Sequence, residues 1–401
     1  MPTIDEQLAT LRAFIVQRPP YCSGTLSPPE DALILFYGKE SQARRVNLAH
    51  ATEEELKHLS DTCDVATFGR NQEEVVDETY RKAGKLDSTY FSVKLDGAIT
   101  ELLDVVSTEL LQEDTPIRAE LYKLNVYGKD SFFKSHKDTP RGISMFGSLV
   151  IVYPTPHDGG SLVFRHMDKE WTFDSAKAIS EQGDPCIAYA AFYSDVEHEV
   201  TLVESGRRVT VTYNLYYADK IPRSVSIRPD TSEPLLKDAL KRLLGDPTFL
   251  PEGGFLGFGL SYAYPVNIKS WQYGLRLKGS DAVVKKVCED LSLDVDLKII
   301  YQHVDYEMHM MVDSFADVIS ADDEESLADQ LRQYHNGRTV NVDSSTCGKP
   351  EVEIHWVTQL SERNTFSEQY AVYGNEPDIS ETYGYFGLVV GVGKLGEREP
   401  S

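Results

Sequence analysis

Between Pro116 and Lys220 the chain is a succession of short β-branched and aromatic runs broken by Gly, Pro and Asp, and this pattern constrains the fold most. The runs are Arg118–Tyr127, Gly147–Tyr153, Gly160–His166, Trp171–Phe173, Cys186–Tyr193, His198–Glu204 and Arg208–Tyr217. Seven short strands at this spacing predict a sandwich or a barrel. The last run is the most informative. Alternate residues of an extended chain share a face, so Arg208, Thr210, Thr212 and Asn214 point one way and Val209, Val211 and Tyr213 the other. A polar face carrying one cation and backed by an oily face lines a ligand pocket rather than a packed core. Such a cation calls for a carboxylate, which arginine grips with two parallel hydrogen bonds. Ordinary polar barrel residues explain Thr212 and Asn214 equally well.

The flanking sequence reads differently. Residues 1–115 are mixed but mostly helical in pattern: an amphipathic helix over Glu6–Val16 stopped by Pro19-Pro20, a strand over Ala32–Tyr37, and a helix opened by the capping box Thr52/Glu55. Two more helices are expected over Asn71–Gly84 and Ala98–Leu111. Beyond Lys220 the chain returns to α+β, with helices over Glu233–Leu244 and Asp281–Leu291 and strands near Ile299, Ile354 and Phe386. The acidic stretch Ser320–Ser326 reads as a solvated loop. The expected division is therefore a helical region 1–115, a strand-rich core 116–220 and an α+β extension 221–401.

Charge narrows the partners. The 401 residues carry 40 Lys and Arg against 64 Asp and Glu, a net charge of −24. That excess repels a phosphate backbone, so no nucleic-acid partner is expected, and a basic protein segment, a neutral peptide or a small molecule is favoured. No run of about 18 apolar residues exists, so no membrane partner is expected, and the opening MPTIDEQLATLRAF lacks the order of a signal peptide. The cysteines Cys22, Cys63, Cys186, Cys288 and Cys347 are scattered and never form CxxC, which suits reduced thiols in the cytoplasm or nucleus.

Within the strand-rich segment stand His136-Lys-Asp138, then His198, then Arg208. Residues two apart in an extended chain share a side, so the HxD pair presents an imidazole and a carboxylate together. A second imidazole from a later strand completes a two-His-one-carboxylate set, which fills one face of an octahedral Fe(II) and leaves the others open. An HxD pair alone recurs by chance, and a lone strand histidine is most often structural. Triad, cation and glycine pair together are more specific.

The stretches LYKLNVYGKDSFFKSHKDTPRG (121–142), FGSLVIVYPTPHDGGSLVFRH (146–166) and AYAAFYSDVEHEVTLVESGRRVTVTYNLYY (188–217) resemble, in this order, the iron(II)- and 2-oxoglutarate-dependent dioxygenases of the prolyl 4-hydroxylase-like branch. The resemblance implies a double-stranded β-helix (jelly-roll) core within an overall α+β chain. It implies His136, Asp138 and His198 as Fe(II) ligands and Arg208 as the partner of the distal carboxylate of 2-oxoglutarate. Tyr127 and Tyr153 match family tyrosines placed to hydrogen-bond that cosubstrate. Arg207 is the second choice for the carboxylate, but it shares its face with the valines. The implied reaction is hydroxylation of a C–H bond by O2, with release of succinate and CO2 and with ascorbate as an auxiliary cofactor. A prolyl residue of a protein or peptide is the first candidate substrate, and small molecules are the alternative. Two other classes compete: a non-catalytic interaction module that kept the fold, and a metalloenzyme that does not use 2-oxoglutarate.

Other motifs carry less. His303-Val-Asp305, with His355 and Arg363 downstream, imitates the first site but lacks the oily alternating strand after the arginine. Gly391-Val-Gly393-Lys-Leu-Gly396 matches GxGxxG, yet too few residues follow to form a phosphate-binding helix. Gly253-Gly254…Gly257…Gly259 reads as a turn. Arg70, Tyr80 and Arg81 fall on or beside an expected helix, where surface solvation is the simpler account.

Overall fold

The computed structural model describes residues 2–15, 19–39, 42–70, 73–111, 115–142, 144–218, 232–264, 275–303, 308–315, 327–342, 350–372 and 378–398. The chain divides into two compact units, Pro19–Arg228 and Met1–Arg18 with Pro229–Ser401.

The Pro19–Arg228 unit is built on two antiparallel sheets. The larger runs Tyr21–Leu26, Ile187–Tyr193, Met145–Val152, Arg208–Tyr217, Ile117–Tyr127, Gly84–Asp87, Asp64–Val65 from edge to edge. The smaller runs Lys169–Phe173, Leu162–His166, Glu197–Val200, Phe132–His136, Arg81–Lys82. Every residue of Ile187–Tyr193 is buried, because this strand lies inside the sheet and has helical segments Ser175–Ser180 and Val106–Leu111 packed on it. Arg208–Tyr217 keeps the alternation read from its sequence, pairing with Ile117–Tyr127 on one side and Met145–Val152 on the other.

Residues 1–115 form both helices and strands. Helices Ile4–Ile15, Glu53–Thr62 and Asp96–Val105 are present, and Thr52 caps the second as its sequence predicts, with reciprocal bonds between Thr52 and Glu55. Between these helices lie short strands, several of which extend the two sheets. The Asn71–Gly84 helix is replaced by strand Glu73–Val75, a turn, and strands Arg81–Lys82 and Gly84–Asp87. Asp77 stands in the turn: its carboxylate accepts from the Thr79 backbone N–H at 2.9 Å and hydroxyl at 2.6 Å, while its carbonyl accepts from the Tyr80 and Arg81 N–H groups. An aspartate bonded two residues ahead offers the backbone a turn in place of a helix. The run at His198–Glu204 is likewise split, into Glu197–Val200 and Val203–Gly206.

The other unit, described by itself, carries a mixed sheet in which Asp378–Val392 lies between Asp294–His303 and Gly254–Gly259. Helices Ile4–Ile15, Ser232–Leu244, Gly279–Asp290 and Leu327–His335 belong to it. Gly254–Gly259 is a strand rather than the expected turn. A side chain at Gly257 would run into the Trp356 ring of the paired strand, so glycine there allows close strand packing. Ser320–Ser326 and Asp305 lie outside the described residues.

Candidate active site

His136 ends strand Phe132–His136, and His198 lies in Glu197–Val200; the two residues are direct partners across the antiparallel pair. Asp138 follows two residues after His136. One ligand atom from each of His136, Asp138 and His198 lies within 4.8 Å of the others, the one such cluster among the described residues. His198 Nε2 stands 3.9 Å from Asp138 Oδ1.

The local chemistry orients all three groups. His136 Nδ1 lies 2.8 Å from the Lys134 carbonyl and His198 Nδ1 lies 3.0 Å from the Val196 carbonyl. A carbonyl only accepts, so each Nδ1 carries the proton and each Nε2 keeps its lone pair. Burial, then the neighbouring His198, holds the His136 imidazole well below its ordinary pKa, which keeps it neutral and able to ligate. The Ser148 hydroxyl donates to Asp138 Oδ2 at 2.5 Å, fixing that oxygen. Phe133 stacks on His136 with ring centroids 3.5 Å apart, and Phe192 lies 4.4 Å from His198. Two lone-pair nitrogens and a carboxylate, each fixed by an outer hydrogen bond, are a donor set suited to a divalent first-row metal.

A cavity of about 400 Å³ opens beside this cluster, lined from both sheets. From the larger sheet come Arg208, Thr210, Thr212 and Asn214, so the face read from the sequence is the one turned inward. Arg208 is 1% exposed, and among the described residues its Nε and Nη2 have no hydrogen-bond partner. Burial lowers its pKa to about 10, still well above neutrality, so the guanidinium is charged. An unpaired buried cation is costly unless an anion joins it. Gly160 makes room for it: a Cβ there would come 2.8 Å from Arg208 Cδ, and its φ of +69° suits glycine. The site therefore fits a metal at the triad and an anionic ligand at Arg208.

The two tyrosines separate. Tyr127 lines the cavity, its ring centroid 5.5 Å from the Arg208 guanidinium carbon. Tyr153 is not among the cavity's lining residues. Of the Met145–Val152 strand, Met145, Ser148 and Val150 line the cavity; beyond the pairing irregularity between Met145 and Gly147, Tyr153 takes the parity opposite to Ser148 and Val150. Its ring is fully buried, its hydroxyl has no partner among the described residues, and burial raises its pKa well above the usual phenol range. Arg207 points away and pairs with Glu53. Sequence reasoning missed Ser148, although a lone serine in the oily run FGSLVIV was a usable signal. It also set aside Tyr80 and Arg81, which line the cavity.

Residues 122–216 match the 2OG-Fe(II) oxygenase superfamily. No curated protein matches the chain. Among solved structures, a Pseudomonas putida prolyl-4-hydroxylase is 18% identical, with 53% of this chain and 100% of that one covered and a TM-score of 0.31. An oxidoreductase of the 2OG-Fe(II) oxygenase family from Burkholderia pseudomallei is 14% identical (56% and 95% covered, TM-score 0.25). A Trichoplax adhaerens prolyl hydroxylase, solved with a hypoxia inducible factor oxygen degradation domain peptide fragment, is 15% identical (57% and 98% covered, TM-score 0.30). The superfamily matched over 122–216 implies Fe(II), 2-oxoglutarate and O2 as cofactors.

Proposed function

We propose that the Pro19–Arg228 unit is a dioxygenase of double-stranded β-helix architecture that hydroxylates a C–H bond, with a prolyl residue of a protein or peptide as the first candidate target. The observation that carries this reading is one cavity holding both the His136/Asp138/His198 cluster and the buried Arg208, whose Nε and Nη2 have no hydrogen-bond partner among the described residues. Fe(II) with 2-oxoglutarate and O2 would supply the oxidant for the C–H bond and yield succinate and CO2.

The chain's own residues supply geometry and exclusion of water. His136 and His198 would hold the metal through Nε2 and Asp138 through Oδ1, the oxygen that Ser148 leaves free. Arg208 would hold the distal carboxylate of 2-oxoglutarate, with Tyr127 beside it. Phe133 and Phe192 wall the imidazoles. Prolyl specificity and ascorbate belong to this proposal through the family resemblance alone. Anaerobic loading of the full chain with Fe(II) and 2-oxoglutarate, then admission of oxygen with a peptide panel, tests it. Succinate is expected; none above a His198→Ala control overturns the reading.

A further inference from the structure

The chain carries a net charge of −24, yet its cavity is cationic. Among the described residues the lining holds Arg81, Lys123, Lys137, Arg141 and Arg208 against one carboxylate, Asp138. Arg208 and the triad account for the cosubstrate and metal under the function proposed above, and the other cations lie outside that set.

Two local features gather them. The Ile117–Tyr127 strand has an irregularity in its pairing between Leu121 and Lys123. A bulge of this kind breaks the alternation, and so Tyr122 and Lys123, neighbours in sequence, both face the cavity. Arg141, from the loop after Asp138, lays its guanidinium 4.3 Å over the Tyr122 ring and donates to the Tyr122 hydroxyl at 2.6 Å; the Lys123 ammonium lies 4.7 Å from the same ring. The second feature is Arg81, on the edge strand opposite Phe133. It is 8% exposed, its Nη atoms are held by the Thr67 carbonyl and Asn125 Oδ1, and its guanidinium lies 4.3 Å over the Phe133 ring that stacks on His136. Its buried Nε has no partner among the described residues. Positive groups held in place over aromatic rings, one of them buried with a free donor, are arranged for a negative ligand group.

We propose that Arg81, Lys123 and Arg141 form a second anion subsite, distinct from Arg208, that takes a carboxylate carried by the substrate. The proposal rests on the dioxygenase reading of the same cavity. The carboxylate has two possible sources, an acidic residue flanking the target in a peptide or a free carboxylic acid.

The test is calorimetry on the full chain held anaerobically with Fe(II) and saturating 2-oxoglutarate, so that Arg208 is occupied. The probes are acetyl-Glu-Pro-Glu-amide, acetyl-Gln-Pro-Gln-amide and N-acetylglutamate. The Glu peptide is expected to bind at least about tenfold more tightly than the Gln peptide, as a charge-assisted pair allows. That preference shrinks several-fold in Arg81→Gln and in Arg141→Gln. Arg141 is exposed, so its variant keeps the test valid if Arg81→Gln does not fold. Tight binding of N-acetylglutamate with no peptide preference also supports the subsite and assigns it to free acids. Equal or no binding of all three probes while 2-oxoglutarate binds overturns the subsite and leaves the dioxygenase reading standing. Displacement of 2-oxoglutarate by the acidic probes overturns it too, since only one anion site then exists. Failure of 2-oxoglutarate itself to bind defeats the dioxygenase reading, and the subsite with it.

Discussion

His136 and His198 face each other across one antiparallel strand pair, and each donates its Nδ1 proton to the carbonyl two residues before it. The backbone thus sets both tautomers before any metal arrives. With Asp138 held by Ser148, the ligand set is organised by hydrogen bonds that do not involve the metal. Such outer bonds typically change metal affinity or activity by about 10–100-fold.

Ser148→Ala is therefore expected to weaken Fe(II) binding by at least about tenfold while the protein stays folded. Anaerobic Fe(II) titration with circular dichroism on the same sample checks this. Unchanged affinity would mean that Asp138 needs no orientation by Ser148.

The two adjacent arginines should behave oppositely. Arg208→Met removes the buried cation and should weaken 2-oxoglutarate binding roughly 100-fold or more, with Fe(II) binding retained. Arg207→Ala breaks only a surface pair with the exposed Glu53 and should leave 2-oxoglutarate affinity within about twofold. Calorimetry on both variants reads the difference.

Tyr127→Phe and Tyr153→Phe divide in the same way. Losing the Tyr127 hydroxyl should raise the 2-oxoglutarate Kd several-fold, as one hydrogen bond is worth about 1 kcal/mol. Losing the unpartnered Tyr153 hydroxyl should leave that Kd alone and raise stability by up to about 1 kcal/mol, because a buried polar group without a partner is a cost. Urea unfolding and ligand titration of both variants measure the pair.

Much of the site was legible because its chemistry sits on the strands with the clearest alternation. Arg208, Thr210, Thr212 and Asn214 turn inward as period two requires. The strand count was less legible, since Gly84–Asp87 and Arg81–Lys82 join the sheets from a stretch whose composition reads as helical. Asp77 holds a turn there by bonds to Thr79, Tyr80 and Arg81, which composition alone does not reveal. Tyr153 was placed by its motif position alone, and its parity is opposite to that of Ser148 and Val150, which line the cavity. Overall charge acts at a different range. A net of −24 favours a basic partner at long range, but the field inside the cavity is set by the few cations that line it.

A pH prediction concerns the unit outside the site. Asp281 is buried and accepts from the Ser261 and Tyr262 backbone N–H groups and the Tyr264 hydroxyl. Burial outweighs these bonds and raises its pKa to about 6. Because the folded value exceeds the unfolded one of about 3.9, the stabilising contribution is complete below about pH 4 and is lost as pH rises through about 6. The loss is on the order of 3 kcal/mol. Asp281→Asn should flatten that part of the profile, so the urea midpoints of the full chain and the variant should converge or diverge between pH 4.5 and 7. Parallel profiles would contradict a shifted Asp281.

The most direct test of the central claim is calorimetric titration of 2-oxoglutarate into the anaerobic full-length chain, with and without Fe(II), in wild type, His198→Ala and Arg208→Met. The account predicts one binding site in wild type that tightens when Fe(II) is present, loses that metal dependence in His198→Ala and weakens roughly 100-fold in Arg208→Met. Binding indifferent to Fe(II), or unchanged by loss of Arg208, would contradict it.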